Sequence, residues 1–166
     1  MRKIYPYFFT AFGTIFIIDQ AIKFTFLNGF RAKSDFVDLI LVFNDGVAFS
    51  MFAFLGEYLK FVQILLIGGF FAYLYYEETL LLQNPAIFGA IFGAGVSNLT
   101  DRFIHGGVID YVFWHKWFEF AVFNFADVAI DVAIATLFLK FIFKKGKIWV
   151  ITLIYGLNLS TMPHLS

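Results

Sequence analysis

Four apolar runs, each close to the length that crosses a bilayer, limit what this chain can fold into. They cover about Tyr5 to Leu27, Tyr58 to Tyr76, Pro85 to Ile104 and Val122 to Phe143. A helix needs roughly 20 apolar residues to span the hydrocarbon, where every backbone polar group must be satisfied internally. The runs predict an all-α membrane protein of four transmembrane helices. Composition agrees: 61% of residues are hydrophobic, 26 of them Phe, and only 14% are charged. A soluble domain needs far more charged surface. The formal net charge of zero gives no sign of a nucleic-acid partner. With no cysteine, disulfides, thiol nucleophiles and thiolate metal sites are excluded.

The first run is not expected to be a cleavable signal peptide, because Asp19, Gln20 and Lys23 interrupt it and no small-x-small site follows. Residues 28–57 carry the β-prone stretch Leu39 to Phe43 and predict a small extramembrane sheet or cradle between helices one and two. Residues 105–121 are rich in Trp, Tyr and His, as at a membrane interface, with Trp114 and Trp117 as anchors. Four spans place both ends of the core on one side. Arg2, Lys3, Lys140, Lys144, Lys145 and Lys147 cluster there, which makes that side cytoplasmic. The core domain is expected over residues 1–147. A tail of unknown role follows over 148–166, with the apolar stretch IWVITLIY too short to span alone.

With that topology the polar residues converge on the outer leaflet. Asp19 and Lys23 lie toward the outer part of span one, Asn98, Asp101 and Arg102 at the outer end of span three, and Asn124 and Asp127 at the outer start of span four. Asn44, Asp45 and Asp110 lie in the outer loops. Ionisable groups in a bilayer are costly, so such a cluster predicts a functional site. Asn98, Asp101 and Arg102 share a helical face, as do Asn124 and Asp127. Two carboxylates in one water-poor pocket share a proton, which supplies a base and an acid together. Each signal also has a structural reading. Asp101 with Arg102, or Asp19 with Lys23, forms a neutralising pair; Asp110 alone reads as a loop residue or cap; Asp127 reads as a helix-dipole partner. Gly89 and Gly93 read as helix packing. Asp131, four residues beyond Asp127 and about 6 Å deeper by the helical rise, stays open as a second candidate carboxylate and an extra buried charge.

Four blocks then occur in order: DQAIK at Asp19–Lys23, FNDGVAFS at Phe43–Ser50, GAGVSNLTDRFIHGGVIDY at Gly93–Tyr111 and FNFADVAID at Phe123–Asp131. They resemble the bacterial lipoprotein signal peptidase (signal peptidase II) family and cover all four helices and both outer loops. The resemblance implies an intramembrane aspartyl endopeptidase of the bacterial inner membrane. Such an enzyme removes the signal peptide from diacylglyceryl-modified prolipoproteins, cutting before the lipidated Cys. It places the catalytic pair on Asp110 and Asp127. Supporting or substrate-contacting roles fall on Asp19, Lys23, Asn44, Gly46, Asn98, Arg102, Asn124 and Ala126. No metal or organic cofactor is implied, and a monomer among membrane lipids is expected. Tyr111 stands where many members have Phe, a difference expected to be harmless, and the resemblance gives Asp131 no role.

Two rivals remain from the residues alone. Ser50 or Ser97 with Lys23 would make a Ser/Lys peptidase, and a small proton-coupled transporter would need polar residues across the whole membrane. His105, His115 and His164 do not form the HExxH pattern of a zinc peptidase.

Overall fold

The computed structural model describes residues 5–46 and 53–155. Arg2, Lys3, Ser50, His164 and the end of the tail lie outside the described residues. The chain divides into two units, Met1–Ala133 and Ile134–Ser166.

The first unit holds helices α1 (Tyr5–Leu27), α2 (Leu59–Tyr76), α3 (Glu78–Gln83) and α4 (Pro85–His105), strands β1 (Val37–Asn44) and β2 (Val108–Trp114), and the start of α5 (Phe125–Tyr155). A 3-10 turn, Ala53–Tyr58, leads into α2. In the second unit α5 continues through Lys144–Lys147 to Tyr155, so the helix outlasts the apolar run that ends near Phe143. The boundary expected at Lys147 falls inside this same helix.

α1 (Tyr5–Leu27) and the segment Phe54–Tyr76 are long and apolar enough to cross a membrane. Their apolar side chains point outward: Ile17, Phe24, Leu65 and Leu66 are exposed. That is the inverse of a soluble protein and suits a lipid solvent. α4 is the inner helix, burying Phe88, Phe92 and Ala94 together with Ser97, Asn98, Asp101 and Arg102. It is less apolar than its neighbours because its polar residues face protein. Gly89 and Gly93 let α1 approach it directly, since a Cβ at either would overlap the backbone carbonyl of Phe8 or Phe12. The small-residue spacing is therefore a packing seam. α4 ends at Gly106, whose φ of 79° is the left-handed cap that glycine adopts freely.

The small sheet differs from the expected one. β1 does lie in residues 28–57, but its partner is β2, from the loop expected to be an aromatic interface segment. The strands are antiparallel, pairing Leu39 with Val112 and Val42 with Asp110, with a bulge between. Val108, Ile109, Tyr111, Val112, Phe113 and Trp114 are β-branched or aromatic, which favours a half-buried strand as strongly as an interface position. Ile109 and Tyr111 pack on Phe26 of α1, with Ile22, Leu39 and Phe125 around them. The Tyr111 ring stacks on Phe26 at 4.3 Å between centroids. This apolar face seats the sheet on the bundle, and the opposite face of β2 presents Asp110 to the helix ends.

Candidate active site

Lys23 is 1% exposed, and each of its three N–H donors has an acceptor. Nζ lies 2.6 Å from Asp19 Oδ2 and 2.6 Å from Asp101 Oδ2. It also donates to Asn98 Oδ1 at 2.7 Å. Asp19 and Lys23 are one helical turn apart on α1, as their spacing suggested. Asp101 pairs across to α1 and not with its neighbour Arg102, which corrects that ion-pair reading. The two aspartates then each grip a backbone N–H. Asp101 Oδ2 accepts from Ile109 at 3.1 Å, and Asp19 Oδ1 accepts from Ala126 at 2.9 Å. These are the residues just before Asp110 and Asp127.

Asp110 and Asp127 are each held by two neutral donors. Asp110 Oδ1 accepts from Asn124 Nδ2 at 2.7 Å and Oδ2 from Asn44 Nδ2 at 2.9 Å. Asp127 Oδ1 accepts from Asn98 Nδ2 at 3.0 Å and Oδ2 from the Asn124 backbone N–H at 3.0 Å. Asn124 therefore holds both carboxylates. It is also the N-cap of α5, its Oδ1 accepting from the Asp127 N–H at 3.0 Å. With Asp127 reaching back, this is a reciprocal capping box. The dipole-partner reading of Asp127 and its place in the cluster hold together.

Asp110 lies on β2 and is 2% exposed, so it is neither a solvated loop residue nor a cap. Burial raises its pKa to about 6, and the neighbouring Asp127 charge adds to the rise. The bonds from Asn44 and Asn124, and the charge of Lys23, oppose it.

All ten residues singled out from the sequence meet here. Gly46 donates its N–H to Asn44 Oδ1 at 3.0 Å, and its carbonyl accepts from Arg102 Nη2. Asp131 does not share this environment. It is exposed on α5, so it is not the buried charge expected. Four further residues belong to the network. Gln20 Nε2 donates to Ser97 Oγ at 2.9 Å and to Asp101 Oδ1 at 2.8 Å. Ser97 donates to Asp19 at 2.6 Å, so its hydroxyl is committed to a carboxylate and not to Lys23. Gln63 accepts from Arg102 Nε at 3.0 Å. Tyr111 OH accepts from the Phe125 N–H at 2.9 Å, satisfying the first helical donor of α5. Phe at this position would lack that acceptor. Gln20 and Gln63 were detectable as amides inside apolar helices; the Tyr111 bond depends on tertiary docking.

Fold and site define the class: an apolar helical bundle with a pair of carboxylates, Asp110 buried and Asp127 partly buried, where its helices meet a small sheet. Residues 11–143 match the model of the family described as signal peptidase (SPase) II. The chain is 52% identical over 141 residues to a lipoprotein signal peptidase of Campylobacter jejuni, covering 85% of this chain and 90% of the relative. A lipoprotein signal peptidase of Helicobacter pylori is 54% identical over 140 residues, covering 84% and 89%. Two solved structures, both titled as bacterial membrane enzymes, share the fold. One has a TM-score of 0.69 at 18% identity, covering 83% of this chain and 88% of the other. The second has 0.66 at 16%, covering 80% and 90%. The chain belongs to the signal peptidase II family.

The double duty of Asn124 can be separated. Asn124→Ser keeps a capping oxygen but loses the buried amide that serves Asp110, Asn98 and the Ile109 carbonyl, so it should cost about 1–3 kcal/mol and lose cleavage. Asn124→Ala loses the cap as well and should cost about 1 kcal/mol more. Thermal unfolding and turnover of the two variants check this; full turnover in Asn124→Ser would contradict it.

Proposed function

We propose that this protein cuts diacylglyceryl-modified prolipoproteins before the lipidated Cys, with Asp110 and Asp127 as the catalytic pair. The observation that carries the assignment is Asn124 holding both carboxylates at once, by its amide and its backbone N–H. A water between the two is deprotonated by the ionised carboxylate as it attacks the scissile carbonyl. The protonated partner donates to that carbonyl oxygen, giving a tetrahedral intermediate with no enzyme adduct. Collapse breaks the C–N bond: the carboxyl group that took the water's proton delivers it to the leaving amine, and a hydroxyl of the intermediate returns its proton to the other carboxylate, restoring the pair. A coupled pair titrates as a unit, so base and acid are properties of the dyad and not of one residue.

In this reading residues 1–147 are the peptidase domain, with four spans and both core ends cytoplasmic. Residues 28–57 and 105–121 then lie outside, with the site near the outer leaflet of the bacterial inner membrane. Supporting it are the two membrane-length helices, the family, and the polar residues gathered at one end of the bundle. A reporter fused after Lys145 should be active on the cytoplasmic side; activity only outside would overturn this topology.

Burying each acyl methylene is worth about 0.8 kcal/mol, so the lipid should dominate recognition. Purified protein should cleave a lipidated precursor far faster than the unlipidated one. Asp110→Asn and Asp127→Asn keep shape but lose the titrating proton, and each should slow cleavage by roughly 10²–10⁴-fold or more. Asp131→Asn should retain substantial activity. Equal rates on the two precursors would remove the lipoprotein assignment. Turnover lost in Asp131→Asn but kept in Asp127→Asn would move the dyad.

A further inference from the structure

Gln63 sits on α2, whose sequence is otherwise almost wholly apolar and which buries only Leu59 and Leu74. Its amide makes two bonds to α4. Nε2 donates to the Gly95 carbonyl at 3.2 Å, and Oε1 accepts from Arg102 Nε at 3.0 Å. A guanidinium is a rigid planar fork, so fixing Nε fixes the direction of its other donors. Arg102 Nη2 donates to the Gly46 carbonyl. The N–H of Gly46 donates to Asn44 Oδ1 at 3.0 Å, an Asx turn that commits the oxygen end of that amide. Only the nitrogen end is left to face Asp110, and it donates to Oδ2 at 2.9 Å.

The chain of bonds therefore runs from α2 to the carboxylate without a break. We propose that Gln63 is a positioning residue for the peptidase reaction: it aims Arg102, and through the Asn44–Gly46 turn it presents the Asn44 amide to Asp110. The inference rests on the catalytic reading of Asp110. Amide side chains such as Gln commonly bond across helices in a membrane bundle.

The pH profile separates positioning from mere stability. Among the described residues, the charged groups around Asp110 and its supporting turn are Asp127 on α5, Lys23 on α1, Arg102 and Asp101 on α4, and Asp45 in the turn itself. None is removed by changing Gln63. Donation from Asn44 favours ionised Asp110, so weakening it makes the carboxyl harder to ionise. The ascending limb of the rate profile should then move to higher pH, whereas a merely unstable enzyme loses rate alike at every pH below denaturation.

The experiment uses the full chain in detergent micelles and a lipidated precursor peptide, with kcat and KM measured between about pH 5 and 9. Gln63→Leu should lower kcat about tenfold with little change in KM, and shift the ascending limb upward. Gln63→Glu keeps an acceptor for Arg102 and should recover most of the rate and the parental limb. If Gln63→Leu does not fold, Gln63→Asn, too short to reach Arg102, is read in its place. A parental kcat and pH profile in the shorter or apolar variant overturns the inference. So does a pH-independent loss shared by Gln63→Glu. Asp110→Asn serves as the control: an active Asp110→Asn overturns the catalytic reading itself, while an inactive one alongside an unaltered Gln63→Leu overturns this inference alone.

Discussion

The contact on which the site depends is the ammonium of Lys23, shared between Asp19 and Asp101. A buried ion is costly unless it is paired and all its donors are used, and here they are. The cluster carries two carboxylates for one ammonium. Donors from Ser97, Gln20 and two backbone N–H groups offset the surplus negative charge. Those two N–H groups belong to Ile109 and Ala126, so one ion cluster sets the backbone just before each residue of the proposed catalytic pair. The positions of Asp110 and Asp127, from a strand and a helix distant in sequence, are thus fixed from a single point on α1.

Among the described residues, permanent charge is kept one bond away from the proposed catalytic pair. Lys23 touches Asn98, and it is Asn98 that touches Asp127. Among the described residues, the Asp110 carboxylate accepts from the amides of Asn44 and Asn124. A neutral amide fixes where a carboxyl oxygen lies without locking its charge as a direct Lys or Arg contact would. In the reaction proposed above the two carboxyls pass one proton between them, and neutral partners leave them that freedom.

Much of this was legible in the sequence because the signals are local. Apolar runs mark α1, α2 and α4 to within a residue or two, and spacings of three and four put Asp19 with Lys23 and Asn98 with Asp101. What was not legible depends on pairing across the fold. β2 reads as an aromatic interface segment until β1 lies beside it, and the hydroxyl of Tyr111 has no visible purpose until α5 begins against it. Asp131 looked like a companion of Asp127 by spacing alone. A turn of helix does not guarantee a shared environment, and Asp131 is exposed. Arg102 reads as a partner of the adjacent Asp101; its bonds go instead to the Gly46 carbonyl and Gln63 on other segments.

Thermal unfolding of Lys23→Met, beside the triple variant Lys23→Met/Asp19→Asn/Asp101→Asn, tests the central claim most directly. Removing the lysine alone strands two buried carboxylates and should cost about 3–5 kcal/mol, with cleavage lost. Neutralising both aspartates as well removes the uncompensated charge and should restore much of the unfolding temperature. A Lys23→Met protein that unfolds with the parent and keeps its turnover would contradict the account.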